Sequence, residues 1–140
     1  MPTEAALDFR IPPHPRLCRV VREGVADFGR AHGVPEDDLA HFLIALGEAL
    51  ANAMEHARAA KPIEIACRVS PERILATVRD DGIGFRGEPS PSPELPGALE
   101  ERGRGLPIMR RCSDIFAVQS VPGEGTAVIV GRYLRKLSVA

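Results

Sequence analysis

The chain has 140 residues, of which 44% are hydrophobic and 26% are charged, and its formal net charge is -1. This length and composition predict a single globular domain spanning residues 1–140. The nearly balanced charge gives no reason to expect nucleic acid or an anionic membrane as a partner. No stretch approaches the roughly 18 to 20 apolar residues of a membrane span, and no signal-peptide pattern is present, so we expect a cytoplasmic protein.

Strand and helix patterns alternate along the first half of the chain. Period-two alternation over residues 5–11 predicts a strand at an edge of the sheet, ended by Pro12 and Pro13. Apolar residues at helical spacing predict a first helix over residues 14–32, with Gly33 as its stop. Pro35 and the three acids after it predict the start of a second helix, from about residue 35 to about residue 60.

The second half is predicted to hold two hairpins separated by a long loop and a helix. Alternation predicts one hairpin over residues 63–69 and 74–80 and another over residues 115–121 and 126–134. Between them, a segment at about 85–104 without periodicity contains Pro89, Pro91, Pro93 and Pro96, and we interpret it as a lid. A third helix is predicted to begin near Gly105, with Pro107 in its first turn.

This order of elements predicts an α/β fold. The three helices cannot all act as crossovers between strands. We therefore expect the strands to form one sheet that the helices cover, which is a two-layer α/β sandwich. We expect a mixed, mostly antiparallel sheet covered on one face by the helices. The three cysteines, Cys18, Cys67 and Cys112, lie far apart without metal-ligand spacing, so we expect reduced and mostly buried thiols.

The second helix carries a polar stripe of Glu48, Asn52 and His56, each four residues apart. Residues at this spacing lie nearly above one another on a helix, beside the apolar face. A carboxamide oxygen suits Mg²⁺ that is also held by waters and nucleotide phosphates, and a carboxylate one turn earlier could take a proton during phosphoryl transfer. A solvated edge with chance spacing and a packing role for His56 stay open, whereas a zinc site is disfavoured because carboxamides are poor zinc ligands.

Two glycine motifs stand at the ends of predicted elements. Asp80-x-Gly82-x-Gly84 ends a strand, where glycines allow close approach to a flat ligand and the aspartate can accept a hydrogen bond from an exocyclic amine such as that of adenine. Gly103-x-Gly105 precedes a helix, where backbone N–H groups can face phosphate. Each motif alone is also compatible with an ordinary turn. Neither has the spacing of a Rossmann or P-loop motif.

Taken together and in this order, the three segments resemble the nucleotide-binding boxes of the GHKL ATP-binding superfamily, which has the Bergerat, or histidine-kinase-like, fold. Within it, the chain resembles the small anti-sigma-factor serine/threonine kinases of the RsbW type over nearly its whole length. The resemblance implies that ATP and Mg²⁺ are bound, with Glu48 as catalytic base and Asn52 as metal ligand. It also implies contacts to ATP from Asp80, Gly82, Gly84, Gly103, Arg104, Gly105, Leu106 and Thr126.

The resemblance further implies a function in a partner-switching pathway. Such a kinase phosphorylates a small anti-anti-sigma protein of the STAS type, sequesters a sigma factor and forms a homodimer. The alternative is a nucleotide-dependent binding module, or an ATPase subunit of a signalling assembly, without phosphotransfer. The prolines of the lid and Pro107 in the third helix depart from the family pattern.

Overall fold

The computed structural model describes residues 4–56, 61–81, 105–121 and 125–134. The elements follow one another as β1 (Ala5–Ile11), α1 (Leu17–Ala31), α2 (Glu36–His56), β2 (Ile63–Val69), β3 (Arg73–Asp80), α3 (Gly105–Cys112), β4 (Ile115–Val121) and β5 (Gly125–Tyr133). The predicted order of strands and helices is therefore confirmed. The predicted lid and the predicted end of the second helix, residues 57–60, lie outside the described residues.

The strands form one five-stranded sheet in the order β1-β2-β3-β5-β4. Each pairing is antiparallel, so the prediction of a mostly antiparallel sheet is confirmed. Both predicted hairpins are present, since β2 pairs with β3 and β4 pairs with β5. The first strand lies at an edge of the sheet, as its sequence predicts.

The core lies between one face of the sheet and the helices. Alternate residues of β2 and β3 are buried, and their partners across the ladder, such as Ile65 and Val78, share this face. The helix α2 contributes Phe42, Leu46 and Leu50, whose side chains are completely buried. Burying each such side chain stabilises the fold by about 1.5–3 kcal/mol. Because α2 contacts β3, β5, α1 and α3, it is the central helix of the layer.

The first helix is shorter at its start than the sequence predicts, and it ends where predicted. The Leu17 N–H donates to the His14 carbonyl at 2.8 Å, so residues 14–16 form a turn before the helix begins. At the other end, Gly33 has a φ of 81°. The N–H groups of Gly33 and Val34 donate back to Arg30 and Gly29, at 3.1 and 2.9 Å, which is the hydrogen-bond pattern of a Schellman motif.

All three cysteines are free thiols, as predicted, but only Cys67 is fully buried, whereas Cys18 and Cys112 are partly exposed. Cys67 is completely buried in β2, and this burial, partly offset by Arg68, raises the pKa of its thiol to about 12. Because the thiolate is the reactive form, Cys67 is inert near neutral pH. Within the described part of the chain, no helix is long and apolar enough to cross a membrane.

Candidate functional site

Three polar side chains form a row across the ends of β3, β5 and β4. Asp80 lies opposite Thr126, and Thr126 lies opposite Ser120. Directly paired residues of an antiparallel ladder share one face of the sheet, and the preceding pair on this face, Val78 and Val128, belongs to the core. Asp80 is only 4% exposed and Thr126 only 7%, and the Ser120 and Thr126 hydroxyl oxygens lie 3.2 Å apart. The row therefore extends the helix-covered face with hydrogen-bonding groups.

A glycine fixes the contact between the two central strands at this row. Gly125 begins β5 with a φ of 115°, in the region that side chains disfavour. A Cβ atom at this position would collide with the backbone carbonyl oxygen of Asp80. Only glycine therefore fits here, and its presence lets the start of β5 lie against the end of β3, where it places Thr126 beside Asp80.

The polar stripe of α2 lies at the boundary between the buried and exposed faces of the helix. Glu48, Asn52 and His56 are each half-buried. On one side of them Ala49 and Ala53 are buried, and on the other side the helix is exposed to solvent. The predicted polar seam beside the packed face is therefore present. The roles assigned to its residues stay predictions.

The direction of α2 follows from an ion pair at its other end. Asp38, in the first turn, lies 3.1 Å from the guanidinium of Arg132 near the end of β5. From Asp38 to Asn52 the helix rises about 21 Å, at 1.5 Å per residue. From Arg132 back to Thr126 the strand covers about 20 Å. Because α2 also contacts β3 and β5, these lengths carry Asn52 towards the end of the sheet where the polar row lies.

The third helix, which packs against α2, begins at a further predicted site residue. Gly105 begins α3, and α3 packs against α2 with Met109 completely buried. Leu106 follows in the first turn of the helix. The other members of the two glycine motifs, Gly82, Gly84, Gly103 and Arg104, lie outside the described residues. The fold thus makes neighbours of the elements that carry Glu48, Asn52, Asp80, Gly105 and Thr126.

These side chains fit Mg²⁺ bound together with a nucleotide better than a cation bound by protein alone. Among the described residues, no group of three or more His, Cys, Asp and Glu side chains could hold a metal ion. Mg²⁺ at nucleotide sites takes most of its ligands from phosphates and water, so a single carboxamide such as that of Asn52 suffices. The half-buried position of Asn52, facing neither the core nor open solvent, suits this task.

One member of the polar row, Ser120, was not predicted from the sequence. Its hydroxyl lies within hydrogen-bond distance of the Thr126 hydroxyl. The signal was present in the hairpin, because the antiparallel register that pairs Val121 with Gly125 also places Ser120 opposite Thr126. It was missed because a serine in a strand is common and its partner depends on the register.

A five-stranded antiparallel sheet with one helix layer and a buried carboxylate at a strand end are features expected of a histidine-kinase-like nucleotide-binding domain. The chain belongs to the family described as the histidine kinase-like ATPase domain, whose model matches residues 11–131. This match covers both hairpins, α2 and α3. The predicted use of ATP is thereby confirmed at the level of the domain.

Two curated relatives indicate which kind of protein within this family the chain is similar to. The chain is 30% identical over 125 residues to the anti-sigma F factor of Oceanobacillus iheyensis, covering 82% of this chain and 83% of the relative. It is 28% identical over 138 residues to the serine-protein kinase RsbW of Bacillus velezensis, covering 91% of this chain and 85% of the relative. The resemblance to the anti-sigma-factor kinases is therefore confirmed.

Solved structures support the same fold. The RsbU and RsbW domains of Rv1364c from Mycobacterium tuberculosis match with a TM-score of 0.71 at 19% identity, covering 94% of this chain. This chain spans only 33% of that longer chain. A blue-light-activated histidine kinase domain from Erythrobacter litoralis matches with a TM-score of 0.58 at 20% identity, covering 89% of this chain and 62% of that one. Similarity at this level of identity shows the fold alone.

Proposed function

We propose that this protein is an ATP-dependent protein-serine/threonine kinase that acts as an anti-sigma factor. It phosphorylates a small anti-anti-sigma protein of the STAS type and sequesters a sigma factor. The observation that carries the proposal is the buried Asp80 beside Thr126, on the sheet face covered by the helix that bears Glu48 and Asn52. Relatives named anti-sigma F factor and serine-protein kinase RsbW support it.

Asp80 and Thr126 form the adenine end of the proposed site. Asp80 accepts a hydrogen bond from the exocyclic amine of adenine, and its low exposure strengthens that bond by excluding water. The Thr126 hydroxyl lies beside it and completes a polar edge next to an apolar core. Gly82 and Gly84 would then form the floor beneath the nucleotide, and Gly103, Arg104, Gly105 and Leu106 would contact its phosphates.

Glu48 and Asn52 act at the other end of the nucleotide. Asn52 would hold Mg²⁺, which neutralises developing charge on the phosphates when bound. Glu48, one turn earlier, takes the proton from the serine or threonine hydroxyl of the antagonist protein. As that oxygen bonds to the γ-phosphorus, the bond from the γ-phosphorus to the bridging oxygen breaks, and ADP leaves with its electron pair.

The names of the relatives support the proposed partners. A protein that sequesters a sigma factor would act in the cytoplasm. We also propose a homodimer, because the chain is similar over most of its length to the RsbW type of kinase. Sedimentation equilibrium of the isolated protein tests this, and a monomer at micromolar concentration would contradict it.

Phosphotransfer tests the main proposal. The purified protein is incubated with γ-labelled ATP, Mg²⁺ and the anti-anti-sigma protein from the same genome. We expect label on a serine or threonine of that protein. If ATP binds and the sigma factor is sequestered but no protein is labelled, the protein is a nucleotide-dependent binding module instead.

Replacement of the metal ligand tests the role of Asn52. Asn52→Ala removes the carboxamide oxygen while leaving the helix intact, since alanine favours helices. We therefore expect ATP binding to become nearly independent of Mg²⁺. Calorimetric titrations with and without the cation measure this, and an unchanged Mg²⁺ dependence would remove Asn52 from the site.

A further inference from the structure

A largely buried arginine side chain, that of Arg132, joins three elements at the end of the sheet away from the polar row. The Arg132 side chain is only 12% exposed, and its Nη2 lies 3.1 Å from a carboxylate oxygen of Asp38, which is completely buried. Its Nη1 donates to the backbone carbonyl of Cys112 at 3.3 Å. The guanidinium therefore links β5, the first turn of α2 and the last residue of α3.

The contact with Cys112 occurs where a helix needs a donor. The last four carbonyl groups of a helix have no intrahelical partner, and the helix dipole makes this end negative. A guanidinium can bond to these carbonyl groups and also neutralise the negative end of the helix dipole, because it is a cation with several N–H donors in a fixed plane. Arg132 thus acts as a cap on α3 supplied by a distant strand.

Two further hydrogen bonds fix the exit of α3 to the same strand. The Asp114 N–H donates to the Gly131 carbonyl at 2.8 Å, and the Asp114 carboxylate accepts from the Tyr133 N–H at 2.9 Å. These bonds lie on both sides of Arg132 along β5. They hold the chain that leaves the helix, whereas the bond to Cys112 holds the helix itself.

The third helix is short, so the position of its C-terminal end determines the position of its N-terminal end. It has eight residues, about 12 Å in length, and Met109 is buried in the core near its middle. Contacts near the centre of a short helix resist tilting less than a contact at its end does. The bond to Cys112 at the end of the helix therefore limits tilting. Without it, a displacement of Cys112 would move Gly105 by a similar distance in the opposite direction.

We propose that Arg132 is a positioning residue for the phosphate end of the nucleotide site. By fixing the C-terminal end of α3, it holds the first turn at Gly105 in place for the phosphates. The inference rests on the proposed function, in which Gly105 contacts nucleotide phosphates. The adenine end is fixed differently, by the β3 and β5 ladder at Asp80 and Thr126.

A variant that keeps the fold and removes the cap tests this role. Buried ion pairs can often be replaced by apolar residues without loss of stability, so Asp38→Leu combined with Arg132→Met is expected to fold. A second variant, Arg132→Lys, keeps a cation beside Asp38 but lacks the planar group that reaches both partners. The control is Arg68→Met, which removes an arginine from an exposed ion pair. Its partner in that pair, Asp8, lies on the edge strand β1.

The readout separates positioning from general damage. We expect both variants to bind Mg-ATP about 5- to 20-fold more weakly while binding adenosine as the wild type does, because only the phosphate end has moved. The control should match the wild type for both ligands. Equal losses for ATP and adenosine, or no loss for either, would overturn the proposal.

A thiol provides a readout that needs no nucleotide. Cys112 is half-buried at the capped end of α3, and Cys18→Ser removes the other partly exposed thiol. In this background, loss of the cap should raise the alkylation rate of Cys112 by iodoacetamide about 3-fold or more. An unchanged rate would show that Arg132 does not hold α3. If the wild type itself fails to bind ATP, the proposed function fails, and the alkylation rates still decide whether Arg132 anchors the helix.

Discussion

The interface between the sheet and its helices buries a carboxylate at each end, in two different settings. At one end Asp38 is completely buried and lies 3.1 Å from the guanidinium of Arg132. At the other end Asp80 is almost as deeply buried, and its neighbour across the ladder is the neutral hydroxyl of Thr126. The first arrangement pairs opposite charges within the fold. The second presents a carboxylate where the nucleotide is proposed to bind.

The two settings predict that substitutions at the two ends of the sheet have different effects. A buried ion pair contributes to folding mainly through the penalty of breaking it, because the remaining charge is left without its counterion. A carboxylate at a binding site contributes to ligand affinity, and its replacement by a neutral group of the same shape can leave folding intact. Substitutions that break the pair at the Arg132 end should therefore lower stability, in addition to the weaker phosphate binding proposed above, whereas those at the Asp80 end should affect binding and turnover without lowering stability.

The largest expected effect is on catalysis, at the end of the sheet where the nucleotide is proposed to bind. Glu48→Gln preserves the shape of the half-buried side chain but removes its basic oxygen. General-base catalysis is typically worth about 10²- to 10⁴-fold, so transfer of label from ATP to the antagonist protein should fall by that factor. Binding of ATP and the stability of the fold should stay unchanged. Transfer at the wild-type rate would place the base elsewhere.

The next effect belongs to the other end and is structural. Arg132→Met alone leaves Asp38 buried without its cation, which should lower the free energy of unfolding by about 3–5 kcal/mol. Urea denaturation measures the loss. Adding Asp38→Leu should restore most of it, and the double-mutant cycle isolates the interaction between the two residues. If the second substitution restores nothing, the pair is not coupled.

A smaller effect is expected at the adenine end. Asp80→Asn replaces a charged acceptor by a neutral one, and hydrogen bonds to charged groups are worth about 1.5–3 kcal/mol. Affinity for ATP should therefore fall by roughly 10- to 150-fold, as measured by calorimetry. Parallel titrations with GTP, which lacks the adenine amine, provide the control. Wild-type protein that binds GTP as tightly as ATP would contradict the assignment of Asp80.

The smallest effect sharpens the contrast between buried and exposed pairs. Arg68 donates to Asp8 at 2.7 Å, a shorter contact than that between Arg132 and Asp38, but the Asp8 side chain is 63% exposed. Water and salt screen such a pair, so Arg68→Met should leave the urea midpoint unchanged within error. A loss as large as that of Arg132→Met would mean that distance, and not burial, decides the strength of these pairs.

Much of the fold could be predicted from the sequence because the signals are local. The strands β1, β2 and β4 have the predicted bounds, because less exposed and more exposed residues alternate along them at about a period of two. The second helix begins one residue after Pro35, where the proline and the acids predict a first turn. The polar stripe of Glu48, Asn52 and His56 lies where helical spacing places it.

What could not be predicted depends on long-range contacts. The sequence suggested that Asp38 serves the helix dipole together with its acidic neighbours, but it is completely buried and pairs with a residue 94 positions away. Ser120 meets Thr126 only through the register of a hairpin. Periodicity assigns residues to faces, whereas it gives no information on which distant side chains meet within a face.

The edge position of β1 has a consequence for how the chain folds. The pairing of Ile11 with Ile63 encloses both long helices between the two strands, whereas β2 with β3 and β4 with β5 are neighbours in sequence. Closing a longer segment costs more chain entropy, so nonlocal pairings form later. During synthesis β1 therefore stays unpaired until β2 has left the ribosome. Because β1 is paired on one side only and across a long segment, we expect it to exchange its amide hydrogens before β2 and β3, which are paired on both sides.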